Sequence, residues 1–203
     1  MAFFSWGQPG NTIRTNPTWD FVHTSLGTKI YTMTDSNTDM SQEEFFWGFL
    51  ETQKRILDET VKIRRRDGVS FDVSPSQMGD YFMEFDSIVR PTYRPWAKAD
   101  EDFYTKLPMH AKGEEVFSDE ANMCLMRMGY YFGECLRKHS VNLSWAMGNP
   151  EYMGAGEPVI SGFRFSKECS AIEVCRNIVS RISNGDQTYD HFEETYNVWL
   201  GFI

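Results

Sequence analysis

SDEANMCLMRMGYYFGECLRKH, residues 118–139, is the most regularly patterned stretch of this 203-residue chain. Its apolar side chains recur every three or four positions, which is the period of an α-helix with one buried face. Ser118 belongs to the residue types that cap helix N-termini, and the acids Asp119 and Glu120 suit the positive end of the helix dipole. The pattern predicts a helix that begins after Ser118 and ends near His139.

The chain after this helix predicts a hairpin and two further helices. Residues 142–147 and 158–165 have strand-like composition, and a loop rich in Gly and Pro separates them. Ser170 followed by Glu173 has the spacing of a capping box, in which both side chains bond to free amides of the first helical turn. We therefore expect a helix that starts at Ser170. A last helix is predicted over residues 188–200.

The chain before residue 118 predicts one hairpin and two helices. A capping box, Ser and Glu three positions apart, opens a helical pattern over residues 41–66. A second helix is expected over residues 74–90, because a proline suits the first helical position and another proline ends the pattern. Nearer the N-terminus, residues 19–24 and 29–33 flank a four-residue loop with a glycine, which favours a β-hairpin.

These elements indicate a helix-rich α+β fold, since the strands do not alternate regularly with the helices. The N-terminal hairpin precedes the helices, and the second hairpin is expected to pack on a C-terminal helical group. Residues 1–203 are interpreted as a single domain, or as two lobes, 1–90 and 118–203. In the second case the proline-containing, acidic connection 91–117 joins the lobes.

Composition excludes several classes of function. The chain has 20 Lys and Arg against 29 Asp and Glu, a formal net charge of −9, which opposes a broad contact with phosphate backbones. We therefore expect no nucleic-acid partner. No window approaches the about 20 apolar residues of a membrane span, and the N-terminus has no secretion-signal pattern. These features predict a soluble, cytoplasmic protein that does not contact membranes.

Metal and cofactor motifs are missing from the sequence. The four cysteines match no zinc-site spacing and are expected to be buried free thiols, and the four histidines lie singly. No glycine-rich phosphate loop or nucleophile elbow occurs. We expect neither a metal nor a cofactor.

Glu134 is the strongest candidate for acid–base chemistry, because it lies in an apolar helical segment directly after Gly133. It could act as a general acid or base, or it could accept hydrogen bonds from backbone donors of the neighbouring hairpin. The second role is favoured, with Gly133 allowing another part of the chain to approach closely. Cys135 and His139 share a helix face, but Cys135 lies on the apolar stripe, which favours core packing.

A basic run ends the first predicted helix. Lys62, Arg64, Arg65 and Arg66 lie where cations complement the negative end of the helix dipole. The alternative is a contact with phosphate or with an acidic partner.

Residues 118–200 resemble small bacterial domains, some of which look like immunity proteins encoded beside polymorphic toxins. The resemblance rests on a helix with a Tyr-x-Gly-Glu element, here Tyr131 to Glu134, and on Trp145 in the hairpin that follows. It implies a protein that binds a toxin and covers its active site. A toxin with a basic surface would suit the acidic chain, because complementary charge speeds association.

Acidic and aromatic residues of the connection form the predicted partner-binding surface, with the aromatic side chains as anchors; the alternative is a solvated loop without a partner. They are Trp96, Asp100, Glu101, Asp102, Phe103, Tyr104, Glu114 and Glu115.

Two alternative functions stay open. The first is a small hydrolase-type enzyme that uses Glu134 on a polar substrate, with His139 or with Arg137 and Trp145. The second is a structural or phage-type interaction protein, whose mark would be a large apolar patch.

Overall fold

The computed structural model describes residues 16–23, 29–36, 41–95, 114–149 and 156–203. Its strands are β1 (Asn16–His23), β2 (Lys29–Ser36), β3 (Thr92–Arg94), β4 (Glu114–Val116), β5 (Ser144–Met147) and β6 (Pro158–Ser161). Its α-helices are α1 (Gln42–Arg66), α2 (Met78–Met83), α3 (Asp119–His139), α4 (Ala171–Ser183) and α5 (His191–Leu200).

The strands form antiparallel pairs, separate from the run of helices, and this confirms the predicted α+β class. β1 pairs with β2, with Trp19 opposite Met33, and β5 pairs with β6, with Trp145 opposite Ile160. Both predicted hairpins are therefore present. A third pair joins β3 to β4, with Tyr93 opposite Glu115. The sequence did not predict this pair, whose two strands lie within the stretch interpreted as a connection.

The capping box of α1 forms as predicted. The Ser41 amide donates to Glu44 Oε2 over 2.8 Å, and the Glu44 amide donates to Ser41 Oγ over 3.2 Å. The hydrogen bond from the Ser41 amide is the main reason why the pKa of Glu44 lies below its usual value. At the other end, Gly68 adopts a left-handed φ of 78° and ends the helix.

α3 is the central helix of the core, and most of its side chains are buried. Gly129 lets α4 approach closely, because a Cβ at that position would lie 2.8 Å from Ile172 Cα. The Tyr131 hydroxyl donates to the Asp72 carbonyl over 2.9 Å. Across the core, the rings of Phe82 and Phe192 meet edge to face at 4.6 Å. Residues on both sides of the connection 91–117 thus pack into one hydrophobic core.

The second helix is shorter than predicted. A turn of 3₁₀ helix at Pro75–Gln77 precedes α2, which ends at Met83 instead of before Pro91. Turns follow over residues 82–88, with backbone hydrogen bonds between residues three positions apart. A tertiary contact holds these turns, because Tyr189 near α5 donates a hydrogen bond of 2.9 Å to Asp86 Oδ1.

Two further predictions about local structure were wrong. α4 begins directly after Ser170, as predicted, but the capping box does not form: Glu173 bonds to Arg176, and Ser170 Oγ is buried without a hydrogen-bond partner within the described part of the chain. β6 ends at Ser161 and not at residue 165. Gly162 ends it with a φ of 101°, at a place where any Cβ would overlap the Asn142 carbonyl oxygen.

All four cysteines are free and buried, as predicted. Burial raises the pKa of the Cys124 thiol to about 11 and that of the Cys135 thiol to about 12. No helix in the described ranges is both long and apolar enough to cross a membrane.

Candidate functional site

Glu134 joins α3 to the second hairpin through side-chain hydrogen bonds. Trp145 Nε1 on β5 donates to Glu134 Oε1 over 2.9 Å. Arg137, one helical turn further along, donates from Nε to Oε1 over 2.9 Å and from Nη2 to Oε2 over 2.7 Å. Both oxygens of a buried carboxylate, 7% exposed, are thus engaged by donors. The hydrogen bonds to Glu134 raise the pKa of Arg137.

The hydrogen bonds to Glu134 correct one detail of the sequence prediction. The hairpin does supply a donor to Glu134, but it is the indole of Trp145 and not a backbone amide. An indole N–H needs a partner when its ring is buried, and an adjacent carboxylate is a strong acceptor. The predicted junction between helix and hairpin is present, held by a different donor.

An aromatic cluster surrounds this junction. The rings of Tyr130 and Trp145 stack in parallel, 5.5 Å apart with an interplanar angle of 3°. Phe49 of α1 meets both rings edge to face, at 6.0 Å from Tyr130 and 5.7 Å from Trp145. Gly133 makes room for the indole, because a Cβ there would lie 2.5 Å from Trp145 Cη2. Gly133 therefore has the packing role that the sequence predicted for it.

Beside this cluster lies an open groove of about 860 Å³. Its volume falls within the range of about 300–1,000 Å³ that is typical of ligand sites. Its lining combines an apolar floor with charged walls: Trp47, Leu50, Glu51, Lys54, Leu57, Asp58, Val61, Lys62, Arg65, Asp72, Val73, Tyr130, Glu134, Arg137, Lys138 and Trp145. We call it the α1–α3 groove, because most of these residues belong to those two helices.

The basic run at the end of α1 divides into two pairs. Arg64 contacts Glu84 and lies 4.5 Å over the Phe71 ring, and Arg66 pairs with Asp67 at 3.2 Å. Lys62 and Arg65 instead line the α1–α3 groove. Arg64, Arg65 and Arg66 lie in the last turn of α1, as predicted, and Lys62 and Arg65 line the groove as well.

His139 is separate from the groove. Its ring is exposed, and its Nδ1 lies 3.5 Å from the Tyr196 hydroxyl. Of the residues considered for catalysis, the structure places Glu134, Arg137 and Trp145 in the groove and leaves His139 outside it. The described lining contains no cysteine, serine, threonine or histidine.

The predicted partner-binding surface lies largely outside the described residues. This applies to Trp96, Asp100, Glu101, Asp102, Phe103 and Tyr104, and of Glu114 the backbone is described, in β4.

Glu115 is the member of the predicted surface whose side chain is described. It accepts a hydrogen bond from Ser180 of α4, and the Tyr93 hydroxyl lies 3.4 Å from its Oε1. This half-buried carboxylate links the β3–β4 pair to α4. A charge reversal at Glu115 would therefore disturb the fold as well as any partner contact.

The sequence did not indicate that the exposed side of α1 belongs to a site. Trp47 and Lys54 are exposed there, and the half-buried Leu50 and Val61, which pack against the core, line the same groove. Trp47 is 59% exposed. A large aromatic residue on the polar face of an amphipathic helix was the signal that could have indicated this groove.

Among the described residues, no three His, Cys, Asp or Glu side chains are placed to hold a metal ion together. Comparison with models of protein families, with curated proteins and with solved structures finds no match for this chain.

Proposed function

We propose that the protein is a binding protein, and most specifically an immunity protein that neutralises a cognate bacterial toxin by covering the toxin's active site. The observation that carries the proposal is the engagement of Glu134. Three hydrogen bonds from Arg137 and Trp145 hold its carboxylate. A carboxylate held in this way is suited to fixing a helix against a hairpin, and less suited to taking a proton from a substrate.

The resemblance supports the same conclusion. Gly133 and Glu134 are neighbours on α3, Trp145 lies eleven residues after Glu134 on β5, and the three meet in one packed junction. Packing at this junction accounts for these three residues as a structural requirement, without a catalytic role for Glu134. The surface around it is then free to vary with the partner.

Charge indicates where a basic toxin would dock. Residues 100–203 carry 16 acids and 9 cations, whereas residues 1–99 carry 13 acids and 11 cations. The excess acid lies in the second half of the chain, on the connection and the helices that follow. Complementary charge on the toxin would raise its association rate and select against other partners.

Co-expression with the product of the adjacent gene, followed by affinity purification, tests the proposal. We expect a stable complex and loss of the toxin's activity at equal molar amounts. The double variant Asp100→Lys/Glu101→Lys should slow association. The control variant Asp67→Lys/Asp80→Lys changes the net charge equally at exposed positions in the first half of the chain and should leave association nearly unchanged. A neighbouring product without toxic activity, and no complex, would contradict the proposal.

A second candidate function is a hydrolase-type enzyme that reverses a toxin's modification, because Glu134 lines the α1–α3 groove. Stoichiometry separates the two functions. A protein that covers an active site protects only when it equals the toxin in amount, whereas an enzyme protects at far lower amounts. Glu134→Gln keeps an oxygen that can accept the hydrogen bond from Trp145, so protection by covering the active site should persist. Protection by an enzyme should be abolished, because the amide cannot act as a general acid or base.

A further inference from the structure

The charges of the α1–α3 groove do not cancel. Two of its ion pairs are internal, Lys54 with Asp58 at 2.6 Å and Arg137 with Glu134 at 2.7 Å. Lys62, Arg65 and Lys138 have no ion-pair or hydrogen-bond partner within the described ranges.

Two acids of the lining are also without an ion-pair partner among the described residues, Glu51 and Asp72. Glu51 lies eleven residues before Lys62 on α1, or about 16 Å along the helix axis. Among the described lining residues, three cations therefore remain beside two acids, an excess of one positive charge. In a chain of net charge −9, this positive excess marks a place where an anion would be favoured.

The same groove offers aromatic surface. Trp145 is half-buried, and its ring is held by the Tyr130 stack, by Phe49 and by the hydrogen bond to Glu134. Lys138 lies four residues after Glu134, one helical turn or about 6 Å along α3. An aromatic ring held in place and a cation on the neighbouring turn of α3 thus line the same groove.

We propose that the α1–α3 groove binds a small ligand with a planar heteroaromatic ring and phosphate groups. The ring packs against Trp145, and the phosphates lie near Lys138, Lys62 and Arg65. Stacking and charge-assisted hydrogen bonds together bind such ligands in proteins. This site is separate from the toxin contact and does not depend on it.

Isothermal titration calorimetry of the purified full chain tests the proposal with three probes: ATP, adenosine and tripolyphosphate. ATP carries both the ring and the phosphates and should bind with one site per chain. Adenosine and tripolyphosphate each lack one half and should bind more weakly than ATP. Absence of ATP binding would overturn the proposal. If tripolyphosphate binds as tightly as ATP, the proposed role of the ring is overturned. If adenosine binds as tightly as ATP, the proposed role of the cations is overturned.

Two neighbouring arginines give a matched control. Arg65→Ala removes a cation from the groove and should weaken ATP binding about five- to tenfold, as the loss of a charge-assisted contact does. Arg66→Ala removes the same charge from the same helix end but outside the groove, and should leave the affinity unchanged. Both side chains are exposed, so both variants should fold, which far-ultraviolet circular dichroism checks. Equal weakening by both substitutions would show general charge attraction and would overturn the site.

Discussion

Replacing Gly133 with alanine should destabilise the protein, although alanine is the better helix former. A Cβ at position 133 would lie 2.5 Å from Trp145 Cη2 and 3.2 Å from Ile160 Cδ1. The indole cannot move freely, because Tyr130, Phe49 and Glu134 hold it. The substitution therefore forces a shift in a packed junction.

The magnitude follows from two opposing contributions. Alanine in place of glycine inside a helix stabilises by about 1 kcal/mol. Overpacking costs about 1–3 kcal/mol, and displacing the indole weakens a hydrogen bond to a carboxylate that contributes about 1.5–3 kcal/mol. The net change in the free energy of unfolding should be a loss of about 2 kcal/mol.

Gly48 provides the matched control, because it lies inside α1 and a Cβ there meets no atom within 4 Å. Gly48→Ala should stabilise the protein by about 1 kcal/mol. The two alanine variants should then differ by about 3 kcal/mol, or by roughly 6–12 °C in melting temperature for a chain of this size.

Urea unfolding of Gly133→Ala, Gly48→Ala, Trp145→Leu and the double variant Gly133→Ala/Trp145→Leu completes the test. Without the indole, alanine at position 133 should no longer destabilise, which gives a coupling energy of about 2–3 kcal/mol. The reasoning is refuted if Gly133→Ala is as stable as Gly48→Ala, or if the effects of the two substitutions simply add.

Three further predictions concern hydrogen bonds, ionisation and thiol reactivity. Trp145→Phe should lower the free energy of unfolding by about 1.5–3 kcal/mol, because it removes the hydrogen bond to Glu134. The same substitution should lower it much less when Glu134 is already replaced by leucine. Urea unfolding of this double-mutant cycle measures the difference. Partial burial raises the pKa of Asp86, but hydrogen bonds from Arg90 and Tyr189 outweigh it and hold the pKa below its usual value. Ionised Asp86 therefore stabilises the fold at neutral pH, and this contribution is lost as the pH falls through its lowered pKa. The difference in the free energy of unfolding between wild type and Asp86→Asn should accordingly become smaller in acid. Burial raises the pKa of all four cysteines above the value of about 8.5 that is usual for a free thiol. The native protein should therefore react slowly with a thiol reagent at pH 8. Fast reaction of all four thiols without denaturant would contradict the buried positions.

Local patterns explain which elements could be predicted from the sequence. α1 and α3 begin at capping serines and carry long apolar stripes, so that their positions follow from neighbouring residues alone. The end of α2 could not be predicted in this way, because a hydroxyl from Tyr189, more than a hundred residues later, contributes to it. The capping box at Ser170 failed for a local reason, since Arg176, three residues further along the same helix, binds the glutamate that the motif requires.

The candidate site could be predicted in part. Gly133 and Glu134 were noticed for valid reasons, a glycine that allows close approach and an acid among apolar residues. The sequence did not indicate which donor would reach Glu134, because that depends on which face of β5 turns toward α3. The groove was missed because its lining is assembled from two helices far apart in sequence and from Trp145 on β5. Periodicity indicates which face of α1 is buried, and it gives no sign of what lies opposite the other face.

The most direct test of the proposed function is a protection assay in cells that produce the adjacent gene product. Growth should stop when that product is expressed alone, and it should recover when this protein is co-expressed in an equal amount. Recovery should persist with Glu134→Gln and weaken with Asp100→Lys/Glu101→Lys. Growth that is never inhibited, or inhibition that this protein does not relieve, would contradict the proposal that it is an immunity protein.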